Sequence, residues 1–149
     1  MVDNKTYYSF SSKSDRLAYW KAARQEYSRW RQTPAAYKLI QYKTTKQQGL
    51  CFWCIRPLTE RIHVDHIFPL FLGGSNNPLN LCITHPTCNM NKGAAVYTTY
   101  KQSCHRRRQF NLILKAKRAQ AALSANPSAK LSKKDLKAIK LYGKLLPIG

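Results

Sequence analysis

The sequence is short of acid. Only 6 of its 149 residues are Asp or Glu, against 26 Lys or Arg, for a formal net charge of +20. A chain so poor in carboxylates cannot neutralise its own basic surface, which points to a polyanionic partner rather than a solubility or membrane-surface role. Long apolar runs are missing too. None approaches the ~20 residues that would cross a bilayer, so no membrane partner is expected. Met1 to Phe10 has no charged stretch followed by an apolar one, so no secretory leader is read there. The cysteines number five, an odd count, and two form Cys51-x-x-Cys54. Without a leader this favours metal binding in a reducing, cytoplasmic compartment over disulfides. A hydrophobic content of 44% excludes a disordered polyelectrolyte. The length fits one modest domain with terminal extensions.

The charge is unevenly spread. Residues 1–50 hold 10 basic and 3 acidic side chains, residues 51–92 hold 3 and 2, and residues 93–149 hold 13 and 1. The basic flanks therefore bracket a nearly neutral centre, giving three regions: a basic helical segment 1–48, a central unit 49–98 and a basic helical segment 99–149. Residues 1–14 read as polar and loose. Asp15 is placed to cap a helix to about Arg31, with Leu17, Trp20, Ala23, Tyr27 and Trp30 at helical spacing as a core stripe. Thr33-Pro34 starts a second helix that stops near Gln48-Gly49. In the centre, residues 61–65 and 79–84 read as two antiparallel strands joined by a long loop through Gly73-Gly74, and a helix starts at Pro86 and continues to about Tyr97. Tyr100 to Ser124 is unbroken helix. After Asn126-Pro127-Ser128, Ser132 caps a last helix with Lys133, Lys137, Lys140 and Lys144 on one face and Leu136, Ile139, Tyr142 and Leu146 on the other. Those lysines are either phosphate-tracking or a solvated face.

Two metal chemistries interleave in the centre. Cys51-x2-Cys54 and His85-x2-Cys88 are paired knuckles, and a Cys3His set is the donor pattern of a closed structural Zn2+ site. Cys82 is a rival ligand, although a buried free thiol is the commoner outcome on a strand. Cys104 reads as a non-ligand. The hard donors are Asp65 on the first strand and Asn89 on the facing helix, a sparse oxygen set that fits Mg2+ and its retained waters. Asp65 and His66 are adjacent, and neighbours in a regular strand face opposite ways. Both can serve one site only if regular strand geometry ends at His66.

The run CFWC…HVDHIFPLFLGGSNNPLNLCITHPTCNMNKG, residues 51–93, resembles the HNH endonuclease family in its zinc-bound form. The resemblance implies an α+β fold, with a small ββα-metal core, a structural zinc and basic α-helices on both sides. It implies His66 as general base, Asp65 and Asn89 as ligands of a catalytic Mg2+ or Mn2+, and Asn80 as the residue that fixes the loop and the orientation of His66. The implied activity is hydrolysis of DNA, expected to be double-stranded, by nicking or double-strand cleavage. Lys92 is a candidate phosphate contact beside the site. Arg106, Arg107, Arg108, Lys133, Lys137, Lys140 and Lys144 are candidate nucleic-acid contacts on the C-terminal flank, as in free-standing homing-type enzymes of phages and mobile elements. Two other readings stay open: a non-catalytic, zinc-stabilised nucleic-acid-binding module, and a nuclease subunit targeted by a protein partner.

Overall fold

A computed structural model of the chain describes residues 7–92 and 99–146. Helix α1 spans Lys13–Trp30 and α2 spans Pro34–Lys46. Strand β1, His63–His66, pairs antiparallel with β2, Leu81–Thr84. Helix α3, Pro86–Lys92, follows directly, and α4, Tyr100–Ala125, and α5, Lys133–Tyr142, form a C-terminal hairpin of helices. The expected extension of α3 beyond Gly93 lies outside the described residues.

Helix starts follow local chemistry. Thr33 caps α2 with Pro34 at its first position, and Thr99 and Ser132 build capping boxes with Gln102 and Asp135. At α1 the cap is Ser12 rather than Asp15. The Ser12 hydroxyl accepts the Asp15 backbone N–H at 3.0 Å and donates to the Asp15 carboxylate at 2.7 Å, so Asp15 acts from the first turn. The expected core stripe of α1 faces inward, with Ala23 buried and Leu17, Trp20, Tyr27 and Trp30 partly so. The N-terminal segment is not loose from Tyr7 onward. Tyr8 N–H donates to Gly73 at 2.7 Å, and Tyr7 stacks on Tyr100 with ring centres 4.0 Å apart.

A two-stranded sheet cannot stand alone in water, and here the open edge of β2 is capped and a core packs against the sheet. Gln47, buried at the end of α2, exchanges hydrogen bonds of 2.8 Å with both the N–H and the carbonyl of Ile83 in β2. Below it lies a core of Leu50, Phe52, Ile67, Cys82, Phe110, Ile113, Leu114, Ala116, Ala138 and Leu146. That core is shared between the central unit and the C-terminal hairpin. On α5 the inward residues are Ala138, Ile139, Tyr142 and, beyond it, Leu146, whereas Leu136, placed on the apolar side by its periodicity, is 55% exposed. α5 packs against α4 with Ala138 in the core, and Leu136 lies outside that core.

The loop 67–80 is held from within. Asn80, 2% exposed, accepts the Phe68 N–H through its amide oxygen and donates to the carbonyls of Phe68 and Ser75, each at 2.9 Å. The two glycines are required by close approach. A Cβ on Gly73, whose φ is +103°, would sit 2.1 Å from the Tyr8 carbonyl oxygen, and one on Gly74 would sit 1.9 Å from that of Phe68.

Candidate metal centre and hydrolytic site

The zinc-type corner is built by the two knuckles. Cys51 ends the bridge between Leu50 and Pro57, and the chain turns back through Ile55 at a φ of 64°. His85 and Cys88 open α3 directly after β2. The ligand atoms of Cys51, Cys54, His85 and Cys88 all lie within 4.8 Å of one another. His85 donates from Nε2 to the Pro57 carbonyl at 2.9 Å, which turns Nδ1 toward the sulfurs of Cys54, at 3.4 Å, and Cys88, at 3.8 Å. Burial works to raise the Cys51 thiol, but the Cys54 backbone N–H, the Thr84 hydroxyl and the His85 and Trp53 N–H groups outweigh it and bring it down to about 6. Cys88 is pushed up to about 12 by burial and then by the neighbouring thiols of Cys54 and Cys51. One thiolate is thus stabilised and a further one resisted, as expected of a cluster whose negative charge awaits a divalent cation. Soft donors in this number and spacing fit Zn2+. Cys82 is buried in the core and burial raises its thiol well above the ordinary range, so it is a free thiol outside this cluster, as is Cys104.

The corner around Asp65 and His66 is assembled differently. Asp65 pairs with Cys82 and His66 with Leu81, so regular pairing runs to the last residue of β1. The two side chains consequently meet different surroundings. Asp65 is buried and accepts the Trp53 indole N–H at 2.8 Å and the Lys92 ammonium at 3.0 and 2.8 Å. His66 points instead toward α1 and the loop. Its ring packs edge-on against Tyr27, with centres 4.8 Å apart, and its Nε2 lies 2.9 Å from Oδ1 of Asn76. The Asn76 amide nitrogen donates to the Ala23 carbonyl at 2.9 Å, which fixes which end of the amide faces His66. Nε2 must then carry the proton, and Nδ1 is the basic atom. Burial, ahead of the smaller repulsion from Lys92, pushes His66 down to about 4 against the opposing pull of Asn76 and Asp65, so the ring is neutral near pH 7. Lys92 ties the corner together, since it also donates to the His66 backbone carbonyl.

Residues 51–95 match the family model described as HNH endonuclease. The central unit is an HNH domain. No curated protein matches the chain. The match supports a nuclease or nucleic-acid-related function in general terms.

Within the HNH domain, the amide nitrogen of Asn89 donates to His63 Nδ1 at 3.3 Å. Asn89 and Lys92, three apart on α3, therefore face His63 and Asp65, two apart on β1. A carboxylate and an amide on facing elements are hard donors, and the Lys92 ammonium seated on Asp65 shows that this spot holds positive charge. Among the described residues the Cys51, Cys54, His85 and Cys88 cluster alone gathers three or more His, Cys, Asp or Glu ligand atoms, so Asp65 and Asn89 offer at most a sparse pair of hard donors here. Asn80 holds the loop and does not touch His66, whereas Asn76 does, a residue that neither motif nor spacing singled out. The only hint of it was its place in the Gly-rich loop.

The expected nucleic-acid contacts divide by environment. Arg106 is turned inward: its guanidinium donates to the carbonyls of Phe52 and Trp53 and lies 5.3 Å from the Phe52 ring centre. Arg107 donates to the Leu79 carbonyl at 3.1 Å and to the Tyr100 hydroxyl at 3.2 Å. Arg108, Lys133, Lys137, Lys140 and Lys144 are exposed. Among the described residues, no helix is long and apolar enough to cross a membrane.

Proposed function

We propose that the chain is a metal-dependent endonuclease that hydrolyses phosphodiester bonds in double-stranded DNA. The observation that supports this most is the arrangement at His66, a half-buried neutral imidazole whose Nε2–H is committed to Asn76. A base for hydrolysis needs a neutral ring with one acceptor nitrogen held in place, and Nδ1 is that atom. In this reading Nδ1 takes a proton from a water molecule as the water oxygen attacks phosphorus. The P–O bond to water forms as the P–O bond to the leaving oxygen breaks, and that oxygen takes a proton from solvent, leaving a phosphomonoester end and a hydroxyl end. Asp65 and Asn89 would hold Mg2+ or Mn2+, which when bound supplies Lewis acidity at the scissile phosphate. Asn76 holds the imidazole in one tautomer, and Tyr27 packs edge-on against the ring and limits its movement. The exposed lysines of α5 and Arg108 hold the polyanion, because the centre is too nearly neutral to do so.

A second reading, a zinc-stabilised nucleic-acid-binding module without catalysis, draws on one observation: Asp65 is already neutralised by Lys92. Supercoiled plasmid separates the two. Cleavage is expected with Mg2+ or Mn2+ and not with EDTA, and His66→Ala should lower it by about 10²–10⁴-fold with DNA binding intact. Tight binding with no cleavage under any divalent ion would favour the binding module. Cleavage that depends on an added protein would favour a targeted subunit.

A further inference from the structure

Among the described residues Asp65 is the only buried acid and Lys92 the only buried Lys or Arg. In a chain of net charge +20 almost every cation has water to point at, and taking an ammonium out of water is costly unless its partners compensate. Lys92 has a full set of them. Its ammonium contacts both oxygens of Asp65 and the His66 carbonyl, and it lies 5.0 Å from the centre of the Trp53 ring. We propose that Lys92 is a resident counter-cation of the Asp65 site: it balances the charge of the Asp65 carboxylate and holds it in place while no divalent ion is bound, and it must leave the carboxylate before a divalent ion can bind there. Lys92 thereby sets how weakly the site binds its ion.

The charges make the two occupancies exclusive. Asp65 and Lys92 together are neutral. A divalent cation added to the same carboxylate with the ammonium still seated would place two like charges side by side in a buried pocket, where they are poorly screened. The geometry allows exchange. Lys92 is the last residue of α3 and reaches Asp65 through a long flexible stem, whereas Asn89 sits one turn back, against His63. The ammonium can therefore withdraw without moving the two oxygen donors. A fixed structural ion pair would have no such consequence for metal affinity.

The inference rests on the reading that Asp65 is a ligand of the divalent ion, and the test separates the two. Mn2+ is titrated into the zinc-loaded full chain by calorimetry, for the wild type, Lys92→Met and Asp65→Asn. Lys92→Met is expected to bind Mn2+ at least about tenfold more tightly, the order of effect of removing a like charge from a buried contact, and Asp65→Asn is expected to abolish binding. Equal or weaker binding by Lys92→Met, with Asp65→Asn still abolishing it, overturns the role of Lys92 alone. Binding that ignores Asp65→Asn, or no binding in any form, overturns the metal reading beneath it and the proposal with it. A second measurement needs no variant. In protein with 15N-labelled lysine, the Nζ resonance of a buried ammonium should be visible without Mg2+ and be lost or shifted at saturating Mg2+. Its persistence unchanged at Mg2+ saturation overturns the proposal.

Discussion

The two corners of the HNH domain are built on different principles. The zinc-type corner takes its four donors from two short turns, each with its ligands three residues apart, so that local geometry delivers them in pairs. The Asp65–His66 corner takes its parts from five places: α1, the knuckle, β1, the Gly-rich loop and α3. Nothing local brings Trp53, Asp65 and Lys92 together, or Ala23, His66 and Asn76. A locally built site depends on its ion for cohesion, while a site assembled from distant segments depends on the whole fold.

The largest effect should come from the first kind of corner. Cys54→Ala, or removal of zinc by a strong chelator, is expected to cost several kcal/mol and to unfold the domain, because structural zinc supplies folding free energy directly. Thermal unfolding followed by circular dichroism checks this. If the melting temperature hardly moved, the cluster would be an accidental gathering of thiols and the contrast between the corners would fail.

The Asp65–His66 corner can be taken apart more finely, through its two asparagines. Asn80 makes three buried hydrogen bonds, and Asn80→Ala leaves their partners unsatisfied, with an expected stability loss of about 2–4 kcal/mol and activity lost along with the fold. Asn76→Ala should do the reverse. Stability should fall by only about 1 kcal/mol, while cleavage falls about 10–100-fold as His66 loses its fixed tautomer. The 15N shifts of the His66 ring report that tautomer directly. Equal losses of stability from the two variants would remove the distinction between a residue that holds the loop and one that holds the base.

The same corner has a pH signature. The ordinary His pKa is about 6.5, and in the fold His66 is held down to about 4. Between those values the unfolded chain binds a proton that the folded chain refuses, so stability rises with pH across the window. The contribution is fully present above pH ~6.5 and is lost as the pH falls through about 4, to the extent of roughly 3 kcal/mol. Urea unfolding of zinc-loaded protein without added Mg2+, compared with His66→Asn, isolates it from the acid sensitivity of the cysteines. The variant should show the shallower slope between pH 4 and 6.5. Identical slopes would mean that His66 is not desolvated.

What the sequence made legible follows the same division. The knuckles, the strand pair, the Gly-rich turn and the capped helices each depend on residues within a few positions of one another, and spacing reveals them. Cys82 was also readable as a buried thiol, since an apolar strand offers little else. Asn76, the Lys92–Asp65 pair and the inward turn of Arg106 were not legible. Each depends on a partner at least 27 residues away, or, for Asn76, on α1 reaching across to the loop 53 positions later. Composition also misleads for Arg106, because a run of three arginines in a basic chain reads as one surface. A guanidinium can instead satisfy the carbonyls that a tight knuckle leaves without partners.

That difference between basic residues gives the smallest expected effect. Arg106→Ala removes a cap from the Phe52 and Trp53 carbonyls and should destabilise the fold by about 1–3 kcal/mol. DNA affinity measured well below the melting temperature should barely change. Lys137→Ala, on the exposed face of α5, should leave stability within about 0.5 kcal/mol. It should weaken binding to duplexes of any sequence, and the slope of log affinity against log salt should become shallower by about 1 if that lysine neutralises one phosphate. Filter binding across a salt series reads both quantities. An unchanged slope for Lys137→Ala would assign α5 a merely solvated lysine face. The polyanion would then have to be held by the basic residues of α1 and α2, and α1 is the helix that carries Tyr27 to His66.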